Sequence, residues 1–395
     1  MHPRRVFWIL FLLNLFNYID RQVLYAVFPL LQTDLRLHDW QLGALASAFM
    51  LVYMCYAPLA GYLADRFPRP KLISMSALVW SLATLASGAA KNFSHLLGAR
   101  GFIGIGEGGF TTMAQPFLAE QYPKEKHAAI LALLGLALPL GSALGYALGG
   151  IIGNTWGWRL AFICVSIPGM FLALLAWFLP DPARLKNSPK PDLSQYKQLF
   201  THKPFIYICL TQAVITFLIG GCSAWVPTYF FRYLGLNVAQ AGVWFGGLVI
   251  VCGAIGTYAG GKWAERLLGQ TSDAYYRVIA VSLAGCLLPL WLGLTATHFY
   301  TALVFFGLAI IFLFLPTGAI AAALVDTTPA TVRATAFAVN IFIIHLLGDA
   351  LSPALIGFVS GLWNLKGAIM ACSIVVIPGL FFCQRARNGK KENIL

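Results

Sequence analysis

The chain has 395 residues, of which 59% are hydrophobic and only 10% are charged, and its mean hydropathy is +0.75. A soluble core cannot hide that much apolar surface, so the composition excludes a soluble domain and indicates a protein that lies mostly in lipid. The net charge of +13 would suit a nucleic-acid-binding protein, but the basic residues lie mainly in the connections between apolar stretches. We therefore expect the lipid bilayer, and no nucleic acid, as a partner.

Apolar windows of about 19 residues predict twelve helices, each long enough to cross a hydrocarbon core about 30 Å thick. The predicted spans start near residues 6, 40, 70, 94, 127, 158, 204, 238, 276, 299, 333 and 364. The first span is too long for a cleavable signal peptide, and its flanks are too poor in small residues, so we expect it to remain as a helix. The predicted fold class is an all-α membrane protein.

The longest polar connection, at 180–204, is rich in Pro and Lys and separates six spans from six. It predicts an N-terminal six-helix bundle at 1–180, a linker at 181–203 and a C-terminal six-helix bundle at 204–395. If the N-terminus is cytoplasmic, most of the 27 Lys and Arg residues face the cytoplasm. The positive-inside rule then predicts cytoplasmic termini for a multi-pass protein, which we expect in a bacterial inner membrane.

Two sequence patterns repeat across this connection. GYLADR at 61–66 returns as GKWAER at 261–266, and GSALGYALGG at 141–150 returns as GDALSPALIG at 348–357. Two repeats in the same order, at nearly the same offset, indicate duplicated, pseudo-symmetric halves. Duplicated halves are typical of transporters whose site lies between them.

Two motifs resemble the major facilitator superfamily. GYLADRFPRPK at 61–71 is similar to the loop between its second and third helices, and RGFIGIGEG at 100–108 is similar to its helix 4 motif. Four further segments resemble spinster-like transporters within that superfamily: NYIDR at 17–21, GIGEGGFTTMAQPFLAE at 104–120, LPLGSALGY at 138–146 and HLLGDALSPALIGFVSG at 345–361. The resemblance implies the major facilitator fold and alternating access between the two bundles.

Opposite charges lie side by side at Asp20 and Arg21, inside an otherwise uncharged span. Neighbouring helical residues point about 100° apart, so these two cannot neutralise each other well. Arg100 and Glu107, seven residues apart on one face of the fourth span, are the candidate partners. We predict Asp20 and Glu107 as proton-coupling acids, and Arg21 and Arg100 as contacts for an anionic substrate. A static charge network is the alternative interpretation.

Two other spans carry candidate site residues. His345 and Asp349 lie four residues apart on one face of the eleventh span, which fits either a proton path or a structural hydrogen-bonded pair. Trp225, Tyr229 and Arg232 lie on neighbouring turns of the seventh span. These three fit either an interfacial aromatic belt or a lining for an amphipathic anion, with Trp225 and Tyr229 as substrate contacts.

The resemblance implies a conformational latch at the cytoplasmic end of the second span. Asp65 would contact the start of the eleventh span near Arg333, where the positive end of the helix dipole favours a carboxylate. Arg66 and Arg69 belong to the same motif, and Glu265 is the repeated acid in the second half. Positive-inside anchoring alone also explains the basic residues, but it does not explain the acids.

The glycine patterns indicate helix packing. GIGEGG at 104–109 fits a dinucleotide-binding motif, but no strand precedes it and Glu107 would repel a phosphate. Four glycines spaced by four residues, from Gly141 to Gly153, form a smooth stripe on the fifth span. The eight cysteines contain no CxxC pair, so we interpret them as small packing residues and expect neither a metal site nor any cofactor.

These patterns predict a proton-coupled secondary active transporter, with protons and a small molecule or lipid as partners, and a monomer as the unit. The resemblance implies an amphipathic anionic lipid, such as a lysophospholipid or a sphingosine phosphate. A proton symporter for a small organic anion, such as a sugar acid, is the alternative. A channel would need a continuous polar path. An enzyme would need a nucleophile or metal motif such as GxSxG or HExxH, and we expect no enzyme.

Overall fold

The computed structural model describes residues 3–181, 199–328 and 333–392. These residues form helices joined by short turns, with no strand among them, as the predicted all-α fold class requires. The first eight helices are α1 Pro3–Ala26, α2 Phe28–Leu35, α3 Asp39–Ala64, α4 Arg69–Gly88, α5 Phe93–Ala119, α6 His127–Gly135, α7 Ala137–Trp156 and α8 Trp158–Trp177. The later helices are α9 Lys203–Tyr233, α10 Val238–Leu268, α11 Ala274–Thr295, α12 Phe299–Phe314, α13 Thr317–Asp326, α14 Arg333–Ile344, α15 Ser352–Leu362, α16 Leu365–Ser373 and α17 Val376–Glu392, with a π-helical turn at His345–Asp349.

Ten helical stretches in the described part of the chain are long and apolar enough to cross a membrane. Two further helices, α1 with 24 residues and α5 with 27, reach about 36 Å or more at 1.5 Å per residue. These two correspond to the first and fourth predicted spans, and they contain the charged residues Asp20, Arg21, Arg100 and Glu107. The ten stretches and these two helices together give the twelve spans predicted from the sequence.

Proline explains why several spans consist of two helices. Pro29 lies in the first turn of α2, directly after the break that ends α1 at Ala26. Pro316 precedes α13, and Pro353 lies in the first turn of α15. A proline has no backbone N–H and its ring clashes with the preceding turn, so the helical hydrogen-bond ladder is interrupted just before it. Each pair of helices follows directly along the chain and corresponds to one predicted span.

The chain divides into two compact units. The first contains Met1–Lys186 together with Ser223–Gly247, and the second contains Asn187–Cys222 together with Leu248–Leu395. The end of α9 and the start of α10 therefore pack with the first unit. The division into an N-terminal and a C-terminal bundle by chain order stays a prediction.

Glycine allows α1 and α7 to approach closely within the first unit. A Cβ atom added at Gly141 would lie 2.6 Å from the carbonyl oxygen of Leu15, and one added at Gly145 would lie 2.6 Å from that of Ile19. Both distances are too short for any side chain. The glycine stripe is therefore a packing surface, as predicted, and it fixes the part of α1 that carries Asp20.

Glycines also allow α5 to pack closely between α3 and α4. A Cβ atom added at Gly104 would lie 2.6 Å from the carbonyl oxygen of Phe49 on α3, and one added at Gly106 would lie 2.6 Å from the backbone nitrogen of Trp80 on α4. GIGEGG is thus a packing motif, as predicted. Its glycines fix the position of Glu107.

We expect Gly145→Ala to destabilise the protein by about 1–3 kcal/mol, because the methyl group would push α7 away from α1. Thermal unfolding of the purified protein measures this effect. The matched control is Gly247→Ala in α10, since a Cβ atom there meets nothing within 4 Å. The control gains the same helix propensity without a clash, so its stability should be unchanged or slightly higher. Equal behaviour of the two variants would contradict the packing role of the stripe.

Candidate functional site

The four predicted charged residues of the first and fourth spans form one buried cluster in the first unit. Asp20 is 2% exposed, and Arg100 and Glu107 are fully buried. The side chain of Arg21 is 13% exposed. Asp20, Arg100 and Glu107 interact electrostatically with one another. The structure therefore brings together residues that lie up to 87 positions apart, between Asp20 and Glu107.

Arg21 and Glu107 form an ion pair through a single hydrogen bond. Nε of Arg21 donates to Oε2 of Glu107 at 2.6 Å. Nη2 of Arg21 and Oε1 of Glu107 are also buried, but neither has a hydrogen-bond partner among the described residues. Because the pair is not bidentate, one oxygen of Glu107 is left to accept a proton.

Aromatic rings surround the guanidinium group of Arg21. Its central carbon lies 5.1 Å from the ring centre of Tyr18, 5.0 Å from that of Phe49 and 5.1 Å from that of Tyr53. The π faces of such rings attract a cation, and more strongly where water is excluded. The rings therefore stabilise Arg21 independently of its carboxylate partner.

Asp20 accepts its hydrogen bond from a hydroxyl group and not from a cation. Oγ1 of Thr84 on α4 donates to Oδ2 of Asp20 at 3.0 Å, and both residues are buried. Oδ1 of Asp20 has no hydrogen-bond partner in residues 3–181, 199–328 or 333–392. Each acid of the cluster thus has one carboxylate oxygen that accepts no hydrogen bond of normal geometry, and the buried side chain of Asn17 lies near that of Glu107. An oxygen of this kind is able to accept a proton.

Arg100 is the least satisfied charge of the cluster. Its Nε, Nη1 and Nη2 atoms are all buried, and none has a hydrogen-bond partner in the part of the chain that the structure describes. Its guanidinium carbon lies 4.7 Å from the ring centre of Phe49. A buried cation without a hydrogen-bonding partner is costly. A role of Arg100 in binding an anionic group stays a prediction. Its planar N–H donors fit a carboxylate or a phosphate.

His345 and Asp349 contact each other in the second unit. Nδ1 of His345 lies 2.9 Å from Oδ1 and 3.1 Å from Oδ2 of Asp349, within the π-helical turn His345–Asp349. Their side chains are 24% and 22% exposed. π-helical turns are rare and occur often at functional sites. The contact fits both interpretations from the sequence, and a proton-coupling role stays a prediction.

The aromatic residues of the seventh span lie inside the protein. Trp225 and Tyr229 are 0% and 1% exposed, which does not fit a lipid-facing belt. The Trp225 ring lies 5.4 Å from that of Phe28, and Tyr229 stacks on Tyr233 at 5.1 Å. A role of Trp225 and Tyr229 in substrate binding stays a prediction.

Arg232 forms an ion pair that the sequence does not reveal. Nη1 of Arg232 donates to Oδ2 of Asp39 at 2.8 Å, and Nη2 donates to Oδ1 at 2.5 Å. Nη2 also donates to Oε1 of Gln32 at 2.8 Å. The Asp39 side chain is only 9% exposed. This bidentate pair ties the end of α9 to the start of α3.

The predicted latch residues have separate local partners. The guanidinium group of Arg66 lies 3.6 Å from the Tyr62 ring centre. Nη1 of Arg69 donates to Oε1 of Glu120, at the end of α5. Nζ of Lys262 donates to Glu265 at 3.2 Å within α10.

The predicted latch contact joins Asp65 and Arg333. Asp65 is exposed and follows the last residue of α3. Arg333 is the first residue of α14, but its side chain lies outside the described residues. The latch therefore stays a prediction.

Sequence reasoning missed the uncharged residues of the site. Thr84, Phe49 and Tyr53 contact the buried charges, but each lies in an apolar run that looks like ordinary helix packing. The one available signal is that Phe49 and Tyr53 are four residues apart and so share a face of α3. Only their contact with Arg21 distinguishes that face from a core surface.

Comparison with known proteins gives relatives over nearly the whole chain. The family model of the Major Facilitator Superfamily matches residues 10–353. The sphingosine-1-phosphate transporter SPNS2 of Xenopus tropicalis is 30% identical, over 94% of this chain and 79% of that protein. The probable sphingolipid transporter spinster homolog 1 of Arabidopsis thaliana is 28% identical, over 90% of this chain and 82% of that protein.

Solved structures show the same fold. A bacterial homolog of the human lysosomal transporter Spinster, crystallised in an inward-facing and unoccupied conformation, superposes with a TM-score of 0.88 at 22% sequence identity. That match covers 99% of this chain and 98% of the homolog. A D-xylose-proton symporter superposes with a TM-score of 0.76 at 16% identity, covering 97% of both chains. At such identities the similarity concerns the fold alone.

We expect Arg232→Ala to lower stability by about 1–3 kcal/mol, because it leaves the nearly buried Asp39 carboxylate without its charged partner. Arg232→Lys should restore little, since an ammonium group cannot form both hydrogen bonds in the same geometry. Thermal unfolding in detergent provides the measurement. The control is Lys262→Ala, which removes a pair whose side chains are 53% and 69% exposed and should cost less than about 1 kcal/mol. Equal losses in the two alanine variants would show that the Arg232 pair has no special structural role.

Proposed function

Because the chain belongs to the Major Facilitator Superfamily and, within it, to the spinster family of membrane transporters, we propose that it is a proton-coupled secondary active transporter for an amphipathic anionic lipid. The family consists of transporters and not of enzymes. Alternating access of a central site, as duplicated halves imply, would carry the substrate across the membrane.

The observation that carries this proposal is the buried cluster of two acids and two arginines. Charges at membrane depth are costly and are kept mainly where a transport or proton pathway uses them. Arg100 has no hydrogen-bonding partner among the described residues, and Asp20 and Glu107 each have one free oxygen. A purely structural network would instead be expected to satisfy most of its buried donors and acceptors. The cluster supports binding of an anion at Arg100 and of protons at the acids.

Proton binding and substrate binding are linked by charge in this proposal. When Glu107 accepts a proton on Oε1, its attraction for Arg21 weakens, and the aromatic rings then hold the cation. An anionic head group at Arg100 adds a negative charge to the same buried volume, which favours protonation of Asp20 or Glu107. Proton uptake thus offsets the charge of the substrate, and release of one favours release of the other. His345 and Asp349 are a second candidate proton site, in the other unit.

The proposed substrate class comes from the relatives. Two of them are a sphingosine-1-phosphate transporter and a probable sphingolipid transporter. Both names indicate amphipathic lipids, and a phosphate head group fits the guanidinium of Arg100. We therefore place sphingosine 1-phosphate and lysophospholipids first, with Trp225 and Tyr229 as contacts for the apolar part. Transport of a sugar acid in preference to these lipids would favour the alternative, a symporter for small organic anions.

The orientation belongs to the same proposal. This multi-pass membrane protein would lie in a bacterial inner membrane as a monomer, with both termini and the 181–203 linker in the cytoplasm. A single cysteine at Lys91, between α4 and α5, should react with an impermeant thiol reagent from outside intact cells. A single cysteine at Gln270, between α10 and α11, should not. The reverse result would overturn the orientation.

We expect Glu107→Gln and Asp20→Asn each to abolish the response of transport to a pH gradient, because an amide cannot exchange a proton. Uptake of labelled sphingosine 1-phosphate into proteoliposomes, with and without an imposed gradient, gives the readout. Binding of the lipid to the purified variants should persist. The control is Glu125→Gln, an exposed acid outside the cluster, which should behave as the wild type. Wild-type pH dependence in both cluster variants would leave the acids with a structural role only.

Arg100→Ala should weaken the binding of sphingosine 1-phosphate by about tenfold or more, since a charge-assisted hydrogen bond contributes about 1.5–3 kcal/mol. Binding of sphingosine, which lacks the phosphate, should change much less. Arg100→Lys should recover only part of the affinity if the phosphate is bound by two nitrogens. Equilibrium binding of the two labelled lipids makes the comparison. An equal loss for both would show that Arg100 does not contact the head group.

A further inference from the structure

The ring of Phe49 on α3 contacts both buried guanidinium groups of the site. The central carbon of Arg100 lies 4.7 Å from the ring centre and that of Arg21 lies 5.0 Å from it. Phe49 is 1% exposed. We infer that Phe49 is a positioning residue, which couples the anion-binding Arg100 to the Arg21–Glu107 pair through a shared ring.

The backbone of α3 fixes this ring in place. The carbonyl oxygen of Phe49 lies where a Cβ atom on Gly104 would be only 2.6 Å away, so α3 and α5 are in direct backbone contact at this level. The ring also lies 6.0 Å from the ring of Tyr53, one turn later on the same face. The backbone at Phe49 therefore cannot shift without moving α3 against α5, and the ring itself is 1% exposed. A fixed ring is able to set the positions of mobile cations.

The two arginines depend on the ring to different degrees. Arg21 has a carboxylate partner in Glu107 and two further rings, those of Tyr18 and Tyr53. Arg100 is fully buried, and its interactions with Asp20, Glu107 and Tyr25 are electrostatic and involve no hydrogen bond from its guanidinium group among the described residues. In the part of the chain that the structure describes, the Phe49 ring is the one aromatic face against Arg100, whereas Arg21 has three. Cation–π attraction is strongest where water is excluded, as it is here. Loss of the ring should thus affect Arg100 more than Arg21.

Because Arg21 and Arg100 contact the same Phe49 ring, a movement of one guanidinium group affects the other. When Glu107 is protonated, Arg21 loses its carboxylate and relies more on the rings, including that of Phe49. A closer approach of Arg21 to Phe49 raises the repulsion between the two like charges, which turns Arg100 toward an anion. This step rests on the proposed transport function. The positioning of Arg100 by Phe49 does not, and it can be tested without substrate.

The first test is a double-mutant cycle in the purified, substrate-free protein. Phe49→Leu is made in the wild type and in Arg100→Met, and the unfolding equilibrium constant is measured by SDS titration. If the ring stabilises the cation, Phe49→Leu should raise that constant about tenfold more in the presence of Arg100 than in the presence of Met, a coupling of about 1.4 kcal/mol. Phe49→Tyr keeps a ring and should preserve the coupling.

The control in the cycle is Phe117→Leu, which removes a fully buried ring from α5. Its effect should be the same in both backgrounds, since its role is apolar packing. Phe49→Met replaces Phe49→Leu if the leucine variant is not obtained in folded form. Equal effects of the Phe49 substitution in the two backgrounds would overturn the inference.

The second test is transport in proteoliposomes. Phe49→Leu should raise the KM for sphingosine 1-phosphate several-fold and reduce the gain from a pH gradient, whereas Phe49→Tyr should retain both and Phe117→Leu should change neither. A wild-type KM and a wild-type gradient response in Phe49→Leu would overturn the coupling between the two arginines. If the wild type shows no gradient-driven transport of this lipid, the proposed function fails, and the double-mutant cycle still decides the positioning of Arg100.

Discussion

A charged side chain buried at membrane depth must find a partner inside the protein, and much of the first unit follows from this constraint. Insertion of an unpaired charge at the centre of a membrane helix costs roughly 2.5–3.5 kcal/mol, and the cluster contains four such groups. Arg21 pairs with Glu107 and contacts three aromatic rings. One carboxylate oxygen of Asp20, Oδ2, accepts a hydrogen bond from Thr84. The guanidinium group of Arg100 makes no hydrogen bond with the described residues. The four charges therefore differ in how many hydrogen bonds they make, and the proposed function rests on this difference.

Close packing of the helices at glycine residues makes this cluster possible. Glycines on α5 and α7 allow these helices to approach the backbones of α1, α3 and α4, and the charged residues of α1 and α5 meet within this packing. In lipid, helix association depends on close packing and not on apolar burial, which explains why small residues lie at these contacts. A larger residue at Gly104 or Gly145 would separate the helices and, with them, the acid from its cation. Packing and site chemistry are therefore parts of one arrangement.

Much of the fold could be predicted from the sequence, because each span carries its own signal. Length and hydropathy predict where the helices lie, and the GIGEGG and Gly141–Gly153 patterns predict close packing, which the backbone contacts confirm. The charged site residues could also be predicted, since a charge in an apolar run is conspicuous. Their uncharged neighbours could not. Phe49 and Thr84 look like any other apolar or small residue of a membrane helix, because nothing local marks which face of the helix meets a cation.

The sequence by itself determined that the protein lies in lipid, how many spans it has and which four charges need partners, because composition and periodicity are properties of single segments. The tertiary structure alone decided which partner each charge has. Arg21, and not Arg100, pairs with Glu107, and Asp20 pairs with a hydroxyl group on α4. It also decided that Arg232 binds Asp39 across 193 residues. Such choices depend on helix rotation and depth at distances of a few ångströms, and these are fixed only when the helices pack against one another.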